Sequence, residues 1–358
     1  MMRFSRLGVL VFVATAVLLG TNCSYYNRVI ARKNLVDGAK AYKDHKFPEA
    51  EALFRYAASK DPNGETVEGR VAQLSLARTL HSEYIGNRSD KSKAQAALEE
   101  YKKSLAPSLK DLGDATAAYD KAPTSDDAQK RYFQALSAVN STTSAIASLY
   151  DNLKNPDQPD QTDKAKEWQL QVANDNQYPA TARARALSAL AARANTCANE
   201  ISDTDATKKT VTRDGKEVFE FVKPAKPEDF AQMQKCVEEG LKYIDQALTL
   251  EPDVVKNAAS LNISTMTDTQ ISLDAEILKI FESVRSYKTS LTYQAMRAAE
   301  MDGKTADRDR LKAEGDAAKA KFSELSDIVK KLQAEADARQ QAKEEAAKSE
   351  SDKAANKK

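Results

Sequence analysis

The residues able to do chemistry in this chain are few: two His and three Cys, with a single Trp, in 358 residues. Zinc and related metals need several nitrogen or sulfur ligands converging at short, characteristic spacings. His45, His81, Cys23, Cys197 and Cys236 show no such spacing, so a histidine-rich metal site is excluded. No phosphate-cradling glycine loop, calcium loop or nucleophile elbow is present. Nothing places a nucleophile, a base and an oxyanion donor together, so the expectation is a protein that is not an enzyme and carries no cofactor. His45 falls where a turn is expected, and solvation accounts for it. His81 sits on a helix near Arg78, where contact with a partner and plain exposure are both open.

The elements that hold these residues are helical. Gly and Pro number 11 and 10, hydrophobic residues are 41%, and charged residues are 30% with Lys plus Arg (54) against Asp plus Glu (53). That is the composition of stacked amphipathic helices, and its near-neutrality argues against nucleic acid as a partner. Apolar residues recur at helical spacing through 67–84, in a return helix that Pro107 is expected to end, and through 124–153. Further helices are read at Ala180–Ile201, Pro227–Leu250, Leu273–Met301 and Ala306–Leu332. Between the first two of these lies KKTVTRDGKEVFEFVK, β-branched and aromatic residues around Asp214-Gly215, the pair a tight type I′ hairpin prefers. In that register Thr210 faces Phe219 and Val211 faces Val218. Beyond Gln333 the apolar stripe vanishes, so 335–358 is expected to be a charged, disordered tail.

Ala31–Pro62 carries the strongest pattern. Counting Ala31 as position 1, Gly38, Phe47, Ala50, Phe54, Ala57 and Pro62 occupy positions 8, 17, 20, 24, 27 and 32. This arrangement of small, large and helix-stopping residues resembles the tetratricopeptide repeat (TPR), a helical hairpin that stacks into solenoids and binds other proteins. Asn34 and Asp37 depart from the usual large residue and leucine, as befits a first repeat with no neighbour before it. Ala97, Tyr101 and Ser104 repeat positions 20, 24 and 27. Gly240, Ile244, Ala247 and Pro252 repeat 20, 24, 27 and 32. The resemblance implies an all-α array of about five hairpins with one inserted β-hairpin. It also implies groove contacts at positions 5, 9, 12 and 13, here Leu35, Ala39, Tyr42 and Lys43.

The N-terminus reads as an export signal: Arg3 and Arg6 precede 14 apolar residues, Leu7–Gly20, too short to span a bilayer core of about 30 Å. Cys23, three residues past its end in Gly20-Thr21-Asn22-Cys23, resembles the lipidation site of bacterial lipoproteins, although Asn22 and Gly20 depart from the usual residues; an ordinary secretory signal is the alternative. With 1–22 removed and Cys23 acylated, Cys197 and Cys236 remain, and an even count in an exported chain points to a disulfide, two buried free thiols being the alternative. The expected organisation is a signal peptide (1–22), an anchor linker (23–30), N-terminal repeats (31–155) and a connector (156–178). C-terminal repeats with a hairpin at 207–223 follow (179–334), then the tail (335–358). The resemblance implies a scaffold lipid-anchored in the cell envelope, on the periplasmic side of the outer membrane, that holds a protein partner. The alternative is a lipoprotein that binds a small molecule or glycan.

Overall fold

Burial of the apolar stripes organises nearly the whole chain into helices. The computed structural model describes residues 6–154, 163–213 and 215–355, with side chains from 25 to 349 apart from Arg213. Among the described residues there are eleven α-helices and one two-stranded sheet, so the fold is all-α with a small β insertion. The Cys23 side chain and Asp214 lie outside the described residues. The chain divides into two units: 1–115 with 137–165, and 116–136 with 166–358.

In the first unit, α1 (Arg6–Lys43) packs on α2 (Phe47–Ala58), and α2 packs on α3 (Val67–Gly86). The small positions do what their size allows. A Cβ added at Gly38 would lie 2.7 Å from Phe54 Cε1, so the Phe54 ring fills the space that glycine leaves. Ala50 and Ala57 are fully buried. The turn into α3 is built by Asp61, whose carboxylate accepts from the Glu65 and Thr66 backbone N–H groups and from the Thr66 hydroxyl. Thr66 then caps α3 by accepting from Gly69 N at 3.0 Å.

Helix α4 (Lys91–Lys121) corrects one expectation: it runs through Pro107 instead of ending there. Proline inside a helix costs about 3 kcal/mol or more, but burial on both sides opposes that cost. Tyr101 precedes the proline in the core, and Leu112 and Ala115 follow it there. The Pro107 ring also lies against the Gly64 turn. Helix α5 (Asp126–Leu153) starts after Thr124-Ser125 and buries Leu136, Val139, Ile146 and Leu149.

The second unit holds α6 (Lys164–Asn174), of which 164 and 165 belong to the first, then α7 (Ala180–Ser202) and the hairpin β1 (Lys208–Arg213) and β2 (Lys216–Phe221). After them come α8 (Pro227–Leu248), α9 (Asp253–Lys256), α10 (Asp268–Met301) and α11 (Thr305–Ala355). Helices α7 and α8 pair, α10 pairs with α11, and α10 also packs on both α7 and α8. Gly240 is the close approach here: an added Cβ would stand 2.6 Å from Leu291 Cδ2 and 3.0 Å from Ala194 Cβ. A capping box at Thr267 and Gln270 fixes the start of α10.

The hairpin register is Thr210 opposite Phe219 and Val211 opposite Val218, with Gly215 at φ +74° in the turn. Phe221 is buried at its base among Ala198, Phe230, Met233, Cys236, Val237, Ala298 and Met301. The Arg297 guanidinium lies 4.6 Å from the Phe221 ring centre. Phe219, further out, is 59% exposed. Ion pairs of Lys208 with Asp203 and Lys223 with Asp302, each 2.7 Å, hold the two feet.

The C-terminal segment departs from its expected disorder. Helix α11 continues to Ala355, and Arg339 donates to Met266 O at 2.7 Å and pairs with Asp268 at 3.0 Å, where Lys343 joins it. Those two cations hold the Asp268 carboxyl below its ordinary value. The helix has no apolar stripe there, and charge pairing with the start of α10 takes the place of burial.

Candidate functional site

Of the four groove residues expected in the first repeat, two are engaged within the protein. Leu35 packs against Ala31, Ala57, Ala58 and Ala72, which makes it part of the core between α1, α2 and α3. The Tyr42 hydroxyl lies 2.8 Å from Ser82 Oγ, and its ring meets Phe47 edge-on at 5.3 Å. Tyr42 therefore ties α1 to α3. Ala39 and Lys43 are exposed. Beside this tie, His81 meets the Tyr101 ring edge-on at 6.0 Å, and burial together with the Arg88 charge lowers its pKa. Arg78 donates to Ser141 Oγ at 3.1 Å, joining α3 to α5 in the same way. Polar side chains thus link α1, α3 and α5 along one face. His45 stands in the α1–α2 turn with φ 58° and is exposed.

The second unit has the better-formed site. Helices α7 and α10 each open a hairpin, and they border a cleft of about 450 Å³. Its walls come from Arg185, Ser188, Ala189 and Ala192 on α7, and from Glu276, Lys279, Ile280, Ser283 and Tyr287 on α10. The α7 residues recur at i, i+3, i+4 and i+7, one helical stripe of small residues headed by an arginine. Ser188 and Ser283 hydroxyls approach to 3.2 Å where the helices meet. Deeper along the same pair, Gln294 accepts from Ser202 at 2.7 Å and donates to Asn199 at 3.1 Å.

Arg185 is the distinctive group. Burial pulls its pKa below the ordinary arginine value, and the nearby Glu276 charge opposes that pull. Its Nε is buried and makes no hydrogen bond. A buried donor left unpaired costs about 1–3 kcal/mol. Sequence reading missed Arg185 because an arginine in an alanine-rich helix looks like a solvated surface residue; its interval to Ser188, Ala189 and Ala192 was the available signal.

Cys197 and Cys236 are joined by a disulfide, Cα to Cα 6.2 Å, which ties the end of α7 to α8. A second cleft of about 670 Å³ borders α8, α9, α10 and α11, lined by Leu248, Val255, Arg285, Lys288 and Leu325 among others, without an aromatic ring. Glu251 and Arg285 form a two-point ion pair in its wall, 2.9 and 3.2 Å. Among the described residues no cluster of three metal-ligating side chains occurs. Among the residues whose side chains are described, no helix is long and apolar enough to cross a membrane.

No protein-family model matches the chain, and searches of curated proteins and of solved structures find no match either.

Proposed function

We propose that this chain is a tetratricopeptide-like solenoid lipoprotein of the bacterial envelope whose activity is to hold a protein segment, without catalysis. In this reading residues 1–22 direct export, Cys23 carries the lipid, and the stacked hairpins present their first helices to a partner. The observation that carries it is the α7–α10 cleft, with Arg185 half-buried in its wall. Small side chains at Ser188, Ala189, Ala192 and Ser283 let a polypeptide backbone come close, while Arg185 and Lys279 outnumber Glu276 in the same wall and favour a carboxylate on it. The two triplets that repeat the Ala50–Phe54–Ala57 spacing, Ala97–Tyr101–Ser104 and Gly240–Ile244–Ala247, and the burial of all six residues support the repeat reading.

The test is a photo-crosslinking residue at Ala192, activated in native membranes. The expected product is one polypeptide adduct of constant mass, lost when Arg185→Glu is added. Absence of a polypeptide adduct, with a small molecule retained on the purified protein, would overturn the scaffold reading in favour of ligand capture.

A further inference from the structure

Helix α1 carries a second stripe, on the side opposite its core. The buried face is Ala31, Gly38 and Ala41. At 100° per residue these positions fall about 180° from a line through Tyr25, Val29 and Val36. Those three are large apolar residues left exposed, Tyr25 at 72% and Val36 at 65%. Cations share their line: Arg32, Lys33, Lys40 and Lys43 are all exposed. No acidic residue stands among them. Asp37 lies off the edge of the stripe, and Glu68 faces Arg28 at 3.2 Å, with Arg32 adding to its field.

An exposed helix face that mixes aromatic and branched apolar residues with an unbroken set of cations matches neither a solvated surface nor a protein core. It matches the boundary between lipid headgroups and acyl chains, where tyrosines sit at headgroup level and basic side chains reach anionic phosphates. Position favours the same occupant. The stripe begins two residues after Cys23 and five after the apolar segment Leu7–Gly20, and it extends 19 residues, about 28 Å of helix.

We infer that the outer face of α1, from Tyr25 to Lys43, docks along an anionic bilayer surface. This rests on the membrane attachment proposed above and adds a second contact to it. A basic face beside the lipid anchor adds electrostatic attraction to anionic headgroups. It also fixes which side of α1 is turned to the lipid and which carries α2 and α3 outward.

The experiment uses the chain produced in a bacterial host, extracted from its membranes and returned to phosphatidylcholine vesicles with or without phosphatidylglycerol. Val36→Trp, in a Trp168→Phe background, gives a single indole whose quenching by brominated lipid reports depth; Val29→Trp is read in parallel. Flotation with the vesicles reports attachment separately. The expected result is quenching at both positions in anionic vesicles and little in neutral ones, reversed by salt as the Debye length falls from about 10 Å at 0.1 M to about 3 Å at 1 M. Lys33→Gln and Lys40→Gln should each lower the docking constant about fivefold, with flotation retained. Three results overturn the inference. A protein that floats with an unquenched indole has no lipid-facing stripe, and equal quenching in neutral vesicles removes the role of charge. An indole shielded from aqueous quenchers in native membranes yet unquenched by lipid points to an acidic protein instead. Failure to float refutes the attachment itself and is distinguishable from the other three.

Discussion

Gly240→Ala tests the packing logic at one atom. The Cβ it adds would stand 2.6 Å from Leu291 Cδ2, 3.0 Å from Leu291 Cδ1 and 3.0 Å from Ala194 Cβ. Carbon atoms in contact prefer about 3.5–4.0 Å, so the overlap with Leu291 approaches 1 Å. Leu291 is fully buried and cannot swing into solvent. Overpacking of this kind costs about 1–3 kcal/mol, against which alanine gains about 1 kcal/mol of helix propensity over glycine. The expected net effect is a loss of about 1 kcal/mol. In a Leu291→Ala background, itself about 3 kcal/mol less stable, the Leu291 overlap is removed while Ala194 Cβ stays at 3.0 Å, so Gly240→Ala should cost about 1 kcal/mol less than it does in the native chain. The assay is urea unfolding followed by Trp168, the only tryptophan, which lies in the second unit and reports on it. A Gly240→Ala protein as stable as the native one, or a cycle with no coupling between Gly240 and Leu291, would refute the close approach of α8 and α10.

Two further outcomes are expected. Replacing both Cys197 and Cys236 by Ser opens a loop with sequence separation 39, and the chain-entropy model gives a loss of about 4 kcal/mol; equal free-thiol counts with and without reductant would show that the bond is not there. Burial pushes the half-buried Asp274 carboxyl from its ordinary 3.8 up to about 6, beside Tyr119, whose own pKa burial and the Asp274 charge raise. Because the folded pKa is the higher one, the stabilisation is fully present below about 3.8 and is lost as pH rises through about 6. The full shift corresponds to about 3 kcal/mol, and solvent reaching the carboxyl trims it to about 2; Asp274→Asn should therefore stabilise at pH 7, and unchanged pH dependence of unfolding would count against it.

What the sequence made legible was local or periodic. The small residues Gly38, Ala50, Ala57 and Gly240 announced close helix approach because only size was needed to see it. The Thr210–Phe219 register followed from a turn of fixed length at Gly215. The structure departs where distant partners decide. Pro107 stays inside α4 because residues on both sides of it are buried, a fact no local propensity holds. The helix beyond Gln333 depends on Asp268, 71 residues from Arg339. Arg185 reads as surface until α10 is laid beside it, and Tyr42, read as a contact residue, is occupied by Ser82 from the next hairpin.

The Cys197–Cys236 bond has a consequence for the integrity of the chain. It closes a ring around the end of α7, the whole β-hairpin and the start of α8. The exposed outer end of that hairpin, with Val218 and Phe219 open to solvent, is the accessible part of the ring for a protease. A cut there divides the polypeptide in two without separating the halves, since both remain covalently joined below the cut. Such a nicked molecule would migrate as one species under oxidising conditions and as two once reduced, and its helices could stay assembled through the damage.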